Sequence, residues 1–198
     1  MVSRSVKPQG NPYCLSGPAP CVTIMDCVTI MDIVWRDDHS IPLSGKIMPQ
    51  SMSQIWLHLI FSTKDRQIFL QNTDFRQEMF RALSHQVQEI GCLPKCVGGW
   101  VDHVHVVCSL TPSVTIANLI QHLKTETSKW SKKGPNGAAM LSWQTGYGAF
   151  SVSPSNLDRV IDYVERQAEH HKRQSYQDEF RLLCRKHEIE IDERYVWD

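Results

Sequence analysis

The sequence lacks a net charge, a long apolar run and a start typical of a secretory signal. Its 198 residues include 21 Lys+Arg and 21 Asp+Glu, so the formal net charge is zero. A balanced charge argues against strong, indiscriminate binding to nucleic acid through an overall basic field. No run of 18 apolar residues occurs, which argues against a membrane-spanning helix. With no apolar segment behind a basic start, the chain is expected to be cytoplasmic.

A regular cysteine framework is also missing. The seven cysteines are odd in number, and three of them precede residue 52. They are therefore predicted to be free thiols in a reducing compartment. A zinc site is an alternative, with four candidate ligands: Cys92, Cys96, His103 and His105. Pro94 and a strand between these ligands fit a compact site poorly, so the two cysteines are expected to be small buried apolar residues.

Residues 1–51 lack the sustained periodicity of a packed element. They are rich in proline and contain a tandem hexamer, Cys21–Asp26 followed by Cys27–Asp32. Two copies of six residues are too few and too short for a solenoid. One interpretation is a recognition arm with β-structure. The favoured interpretation is a disordered leader, or translated upstream sequence before a true start at Met48 or Met52.

From Met52 onward the pattern becomes regular. Alternating β-branched and aromatic residues predict four strands: Ile55–Thr63, Lys95–Val101, His103–Leu110 and Tyr147–Ser153. Helical spacing predicts four helices: Thr73–Ile90, capped by Thr73 and ended by Gly91, then Ser113–Lys132, Asn156–Lys172 and Tyr176–Lys186. The order β-α-β-β-α-β, followed by two helices, predicts an α+β fold with a ferredoxin-like antiparallel sheet.

Two histidines on one strand are the first chemical signal. In Asp102–Val107, alternation places His103 and His105 on the same face. Two neutral imidazoles side by side can bind one divalent ion. For an isolated His-x-His, a pair of surface histidines is the more common arrangement, so a third ligand is needed.

The helix Asn156–Lys172 offers that ligand. Tyr163 and Gln167 lie on one side of the helix, away from the centre of its apolar stripe. Residues four apart are neighbours, so the Tyr163 hydroxyl and the Gln167 amide can address one point. A glutamine carbonyl combined with imidazole suits Mg²⁺ or Mn²⁺. The alternative is an exposed tyrosine and glutamine on an amphipathic helix.

Both motifs resemble a known family. His103-Val104-His105 resembles the His-hydrophobe-His motif of HUH endonucleases. Ile161–Gln167 resembles the Tyr-x-x-x-Gln helix of single-tyrosine insertion-sequence transposases, the IS200-like TnpA type and its REP-associated relatives. Three further segments are similar to that family: Leu119–Lys124, Gly146–Ser151 and Glu169–His171. The resemblance covers about residues 52–187, which would be the nuclease domain between the leader and an acidic tail at 188–198.

The resemblance implies a transposase that cleaves and rejoins single-stranded DNA at hairpin-bearing ends through a 5′-phosphotyrosine. It assigns Tyr163 as the nucleophile, on a helix added behind the sheet. It assigns His103, His105 and Gln167 as ligands of Mg²⁺ or Mn²⁺. It also implies a homodimer in which the tyrosine helix of one subunit can complete the histidine site of the other.

The zero net charge conceals an uneven distribution. Residues 117–133 carry four lysines against one glutamate, whereas residues 176–198 carry four basic against seven acidic residues. The candidate DNA contacts are four basic residues for phosphates, Lys64, Arg66, Lys124 and Lys129, and Trp100 for stacking on unpaired bases. A solvated helix face and core packing are the corresponding alternatives.

Two other functions remain open from the sequence. One is a domesticated relative that processes repeats in its host without mobilising an element. The other is a non-catalytic single-stranded nucleic-acid binding module that uses an open sheet face. Such a face normally displays exposed aromatic residues, and histidines occupy the candidate positions here.

Overall fold

The computed structural model describes residues 22–23, 52–133 and 141–197. The strands in this part of the chain are β1 (Val22–Thr23), β2 (Trp56–Ser62), β3 (Pro94–Gly99), β4 (His103–Ser109) and β5 (Gly148–Val152). The helices are α1 (Thr73–Glu89), α2 (Ile116–Lys133), α3 (Leu157–Glu165), α4 (Gln167–His170) and α5 (Tyr176–Lys186). Two short 3-10 turns, Lys64–Arg66 and Pro154–Asn156, follow β2 and precede α3.

The strands form one sheet in the order β1-β3-β4-β2-β5, and every neighbouring pair is antiparallel. Without the edge strand β1, the order β3-β4-β2-β5 is that of a ferredoxin-like sheet. The central pairing aligns His105 with Ile60 and His103 with Ser62. The predicted α+β fold is therefore confirmed, with strand ends close to the predicted ones.

One face of the sheet carries the main hydrophobic core. Helices α1 and α2 cover this face, and the apolar side chains between them are almost fully buried. The α1 N-cap is Asn72, whose side chain accepts a hydrogen bond from the Phe75 amide at 2.9 Å. The predicted cap, Thr73, is instead the first helical residue. Gly91, with φ of 80°, follows the helix as predicted.

Helices α3, α4 and α5 cover the opposite face. The α3 stripe packs on Val107 and Cys96, while Phe180 of α5 packs with Ile60 and Phe150. The predicted helix Asn156–Lys172 is divided into α3 and α4 at Arg166, where φ and ψ are −93° and 16°. This face is therefore not an open platform for bases, which argues against the binding-module alternative.

The acidic segment after α5 packs back against the protein. Glu193 accepts two hydrogen bonds from Arg181, at 2.7 and 2.9 Å, and the Trp197 ring packs on Phe180. The backbone carbonyl of Val196 accepts a hydrogen bond from Gln144 at 3.0 Å. Residues 188–197 thereby help to hold α5 on the sheet.

The N-terminal region is described only at Val22–Thr23, which pair with β3 at the sheet edge. The leader prediction for residues 1–51 otherwise falls outside the described residues. Cys92, Cys108 and Cys184 are free and buried, as predicted. Cys96 is disulfide-bonded, so the free-thiol prediction is wrong at that position. Among the helices that the structure describes, none is long and apolar enough to cross a membrane.

Candidate active site

Strand β4 brings His103 and His105 beneath the C-terminal helices. Alternation directs both imidazoles to the face that α3–α5 cover, and both residues are fully buried. The predicted shared face is confirmed, whereas the alternative of two surface histidines is wrong. A buried imidazole needs a partner for each polar nitrogen, so the contacts of these rings indicate what the site can bind.

The Nδ1 atom of His103 contacts the carboxylate of the preceding residue, Asp102. Nδ1 of His103 lies 2.7 Å from Oδ1 of Asp102. Burial opposes ionisation of Asp102, but the hydrogen bond with His103, the nearby imidazoles and a backbone hydrogen bond together outweigh it and lower the pKa of that carboxyl. Because an ionised carboxylate only accepts, Nδ1 carries a proton, and in the neutral ring Nε2 presents its lone pair towards the interior. This carboxylate–histidine arrangement is common behind metal ligands.

The second histidine is held by a third one. Nδ1 of His105 lies 2.9 Å from Nε2 of His58 on the neighbouring strand β2. Burial lowers the pKa of both histidines, so both are neutral near pH 7. Among the described residues, the His105 Nε2 atom has no hydrogen-bond partner. A neutral, buried and unpaired imidazole nitrogen is a suitable metal ligand.

Gln167 lies at the start of α4 and is buried, so the alternative of an exposed glutamine is wrong. Its Oε1 is 3.4 Å from the His103 Nε2 atom, while its Nε2 donates to Glu179 at 2.7 Å. The contact with a carboxylate fixes the orientation of the amide. The carbonyl oxygen of Gln167 therefore faces the histidines, where a metal ligand would be needed.

Tyr163 on α3 reaches the same cluster. Its hydroxyl donates to Oε1 of Glu179, and its ring packs edge-on against His105 and His58 at centroid distances of 6.0 and 6.3 Å. Burial, followed by the negative charge of Glu179, raises the pKa of the phenol. Tyr163, Gln167 and the two strand histidines thus meet within one chain.

Sequence reasoning missed two residues of this cluster, His171 and Glu179. Glu179 on α5 contacts Tyr163 and Gln167, and its Oε2 lies 3.1 Å from Nε2 of His171. Burial raises the pKa of Glu179, but the nearby histidines, led by His105, outweigh it and hold it far below the usual range. His171 follows α4. It belongs to the segment Glu169–His171, whose similarity to the family was the one sequence signal that could have indicated it. Glu179 was not distinguishable from other helix acids.

A groove of about 480 Å³ opens beside Tyr163. Arg159 and Lys186 supply positive charge along it, and the Tyr163 and His58 rings form part of its wall. A phosphate chain lying in this groove would contact the side chain of Tyr163. This basic lining comes from α3 and α5, two helices separated in the chain, so no local sequence pattern predicts it.

The five predicted DNA contacts lie elsewhere. Lys64 and Arg66 are exposed in the turn after β2. Nζ of Lys124 donates to three backbone carbonyls between 2.7 and 3.1 Å, and Lys129 pairs with Glu126 at 2.7 Å. Trp100 is half-buried, between Arg76 and His171. Their role in DNA binding remains a prediction.

The zinc alternative does not match the described arrangement. Cys92 is buried in the core on the α1 side, and Cys96 is disulfide-bonded. The imidazoles of β4 instead face amide and carboxylate oxygens. The described residues therefore do not bring the two thiolates and two imidazoles of the zinc alternative together.

Comparisons with known proteins identify the family of this chain. The family model described as "Transposase IS200 like" matches residues 51–167, which include both histidines, Tyr163 and Gln167. No curated protein matches the sequence.

Solved structures of similar fold include two transposases. A proposed transposase from Deinococcus radiodurans R1 has 21% identity and a TM-score of 0.46, with 62% of this chain and 98% of that chain covered. A REP-associated tyrosine transposase bound to a REP hairpin has 12% identity and a TM-score of 0.47, with 64% and 74% covered. The family match spans more than half of the chain, and the protein belongs to the IS200-like transposase family.

Proposed function

We propose that this transposase cleaves and rejoins single-stranded DNA through a covalent bond to Tyr163. The observation that carries the proposal is the position of the Tyr163 hydroxyl, on a helix beside two buried histidines and Gln167. A tyrosine hydroxyl packed against a metal-ligand set has the arrangement expected of a nucleophile. It lies within the segment that matches the family.

The reaction would be a transesterification at a phosphodiester. The Tyr163 oxygen loses its proton and attacks phosphorus, and the bond from phosphorus to the 3′ oxygen breaks. The upstream segment leaves with a free 3′ hydroxyl, because its 3′ oxygen takes up one proton. The 5′ phosphate stays joined to the tyrosine, so the energy of the phosphodiester is conserved. Attack by a 3′ hydroxyl on this link reverses the step, and rejoining needs no nucleotide cofactor.

The residues present fit a divalent cation, Mg²⁺ or Mn²⁺. The Nε2 atoms of His103 and His105 and the Oε1 atom of Gln167 present lone pairs to one region. A cation bound by these atoms would polarise a phosphate oxygen and help to orient the scissile bond. The chain's own contribution is to hold Tyr163 beside that region and to exclude bulk water from it.

The groove beside Tyr163 suits one strand of DNA. Arg159 and Lys186 line it and can contact phosphates. Its volume is about 480 Å³. The solved relative's description mentions a REP hairpin, so we propose a hairpin-bearing substrate here as well. We propose that the hairpin contacts the candidate DNA-binding residues of the sequence, Lys64, Arg66, Lys124, Lys129 and Trp100.

We further propose that the protein acts in the cytoplasm, where such DNA is found, and as a homodimer. The resemblance also implies catalytic sites shared between subunits. The contacts from Tyr163 and Gln167 to Glu179 and the histidines are made within one chain. They support a site that one chain can complete.

The test is a covalent adduct assay with a single-stranded hairpin oligonucleotide in Mg²⁺ or Mn²⁺. We expect wild-type protein to form an adduct that resists denaturant, and Tyr163→Phe to form none while retaining DNA binding. His103→Ala should also form none, because it removes a proposed metal ligand. Tyr195→Phe is the matched control, since Tyr195 is 69% exposed and far along the chain from Tyr163. An adduct with the Tyr163→Phe protein would show that another residue is the nucleophile.

A further inference from the structure

The proposed ligands leave two buried polar side chains of the cluster without a role. His171 and Glu179 contact Gln167 and face His103 from the C-terminal helices. We propose that His171 and Glu179 complete the metal site. The site would then bind one divalent transition-metal ion through three imidazoles, the Gln167 oxygen and a carboxylate. This inference rests on the proposed function and extends its ligand set.

The proton on His171 can be placed from its contacts. Its Nδ1 lies 2.9 Å from the backbone carbonyl of Gln174. A carbonyl oxygen only accepts, so Nδ1 donates and the neutral ring has a lone pair on Nε2. That lone pair faces two more acceptors, Oε1 of Gln167 at 2.9 Å and Oε2 of Glu179 at 3.1 Å. Three acceptors facing one another repel unless a positive charge lies among them.

The same close approach of acceptor atoms occurs at His103. Its Nδ1 donates to Asp102, so the Nε2 lone pair points at the Gln167 oxygen, 3.4 Å away, and at Oε2 of Glu179, 3.6 Å away. The His103 and His171 rings lie with their centroids 4.5 Å apart, so their Nε2 atoms converge on the same oxygens of Gln167 and Glu179. One divalent cation would satisfy every lone pair at once.

The distances fit a single ion. The candidate atoms of His103, His171 and Glu179 all lie within 4.8 Å of one another. Bonds of 2.1 Å in an octahedron place adjacent ligands about 3.0 Å apart and opposite ligands about 4.2 Å apart. The distances from the imidazole Nε2 atoms to the oxygens of Gln167 and Glu179 are 2.9 to 3.6 Å, close to the spacing of adjacent ligands in an octahedron. A contraction of a few tenths of an ångström would bring the set onto one ion.

The charges point in the same direction. Two buried or half-buried carboxylates, Asp102 and Glu179, face the imidazoles of this cluster. A divalent ion would balance their two negative charges. Oε1 of Glu179 also lies 3.4 Å from Nε2 of His105, which places the fifth donor beside the same carboxylate.

The donor types select the ion. Mg²⁺ prefers oxygen ligands and retains several waters, whereas imidazole suits transition metals. Three imidazoles against two oxygen-bearing side chains therefore favour Mn²⁺, Co²⁺ or Zn²⁺ over Mg²⁺. We expect the full-length protein to bind Mn²⁺ at least about tenfold more tightly than Mg²⁺.

The test measures metal binding without DNA. Titration calorimetry with Mn²⁺ alone, and visible absorption with Co²⁺ alone, would be compared for wild type, His171→Ala, Glu179→Gln and His103→Ala. The controls are Glu169→Gln and His85→Ala, because both side chains are more than half exposed. Circular dichroism would establish that each variant is folded, and the two ligand variants test the proposal independently of each other.

We expect His171→Ala and Glu179→Gln each to weaken Mn²⁺ binding at least about tenfold and to change the Co²⁺ spectrum, with the controls unchanged. If His171→Ala or Glu179→Gln keeps the wild-type Kd for Mn²⁺ while His103→Ala no longer binds Mn²⁺, the extended ligand set is wrong and the proposed function stands. Equal affinity for Mg²⁺ and Mn²⁺ would overturn the choice of ion. Wild-type affinity in His103→Ala would instead contradict the metal site of the proposed function itself.

Discussion

Glu179 links the nucleophile to the imidazole cluster through the two oxygens of one carboxylate. Oε1 accepts a hydrogen bond from the Tyr163 hydroxyl, and Oε2 lies beside His171 and His103. Burial and this negative charge both raise the pKa of the phenol, so Tyr163 is fully protonated in the described state. A protonated phenol is a weak nucleophile. Neutralising Glu179 should therefore make Tyr163 easier to ionise.

Glu179→Gln is expected to lower the pKa of Tyr163. The amide keeps an oxygen beside the hydroxyl but removes the charge that opposes phenolate formation, whereas the larger effect of burial remains. The shift should therefore be partial. It can be measured as the difference in phenolate absorbance between each protein and its Tyr163→Phe counterpart during titration with base. An unchanged or raised Tyr163 pKa would show that the carboxylate does not act on the phenol.

At the scale of elements, the position of α3 depends on a glycine. A Cβ at Gly98 of β3 would lie 2.6 Å from the backbone oxygen of Val164, the residue after Tyr163. Gly98 also pairs with His105 across the β3–β4 ladder. The missing side chain thus lets the tyrosine helix pack directly on the sheet beside a candidate ligand.

Gly98→Ala should consequently push α3 away from β3. We expect a loss of about 1–3 kcal/mol in the free energy of unfolding, the usual cost of overpacking, measured by urea denaturation. Adduct formation should fall further than stability alone explains, because Tyr163 moves with α3. Gly146→Ala is the matched control: its Cβ would have its nearest neighbour at an ordinary contact distance of 3.5 Å. Normal adduct formation by a folded Gly98→Ala protein would contradict this dependence.

Local patterns were sufficient to predict the elements and part of the site. Alternation placed His103 and His105 on one face, and the four-residue spacing placed Gln167 beside Tyr163. Neither pattern predicts that the helix breaks at Arg166 or that α5 packs against the sheet. Glu179 is a ligand candidate only because Phe180 and Trp197 hold α5 against the sheet, and this tertiary packing has no period in the sequence. Asn72 replaced Thr73 as the cap because two adjacent polar residues were both plausible.

At the scale of the whole molecule, one chain contains both parts of the candidate site. The histidines come from the sheet, and Tyr163, Gln167, His171 and Glu179 come from the helices behind it. The family resemblance predicts that two subunits exchange these parts. The intrachain contacts predict that each subunit keeps its own.

A mixing experiment separates these arrangements. Tyr163→Phe and His103→Ala proteins should each fail to form an adduct, and we expect a mixture of the two to fail as well, because no chain has both residues. The mixture would be co-refolded to allow subunit exchange and assayed with the hairpin oligonucleotide. Recovery of adduct in the mixture would show that sites are shared between subunits.

The docking of the C-terminal segment has a consequence for synthesis. His103 and Glu179 are far apart in the chain, and α5 is in turn held by Trp197 and Val196. N-terminal parts of a chain generally fold first on the ribosome. The sheet with its two histidines can therefore form while the last helix is still being made. A nascent or prematurely terminated chain would lack Glu179, a ligand of the proposed metal site, so cutting activity would arise only once translation is almost finished.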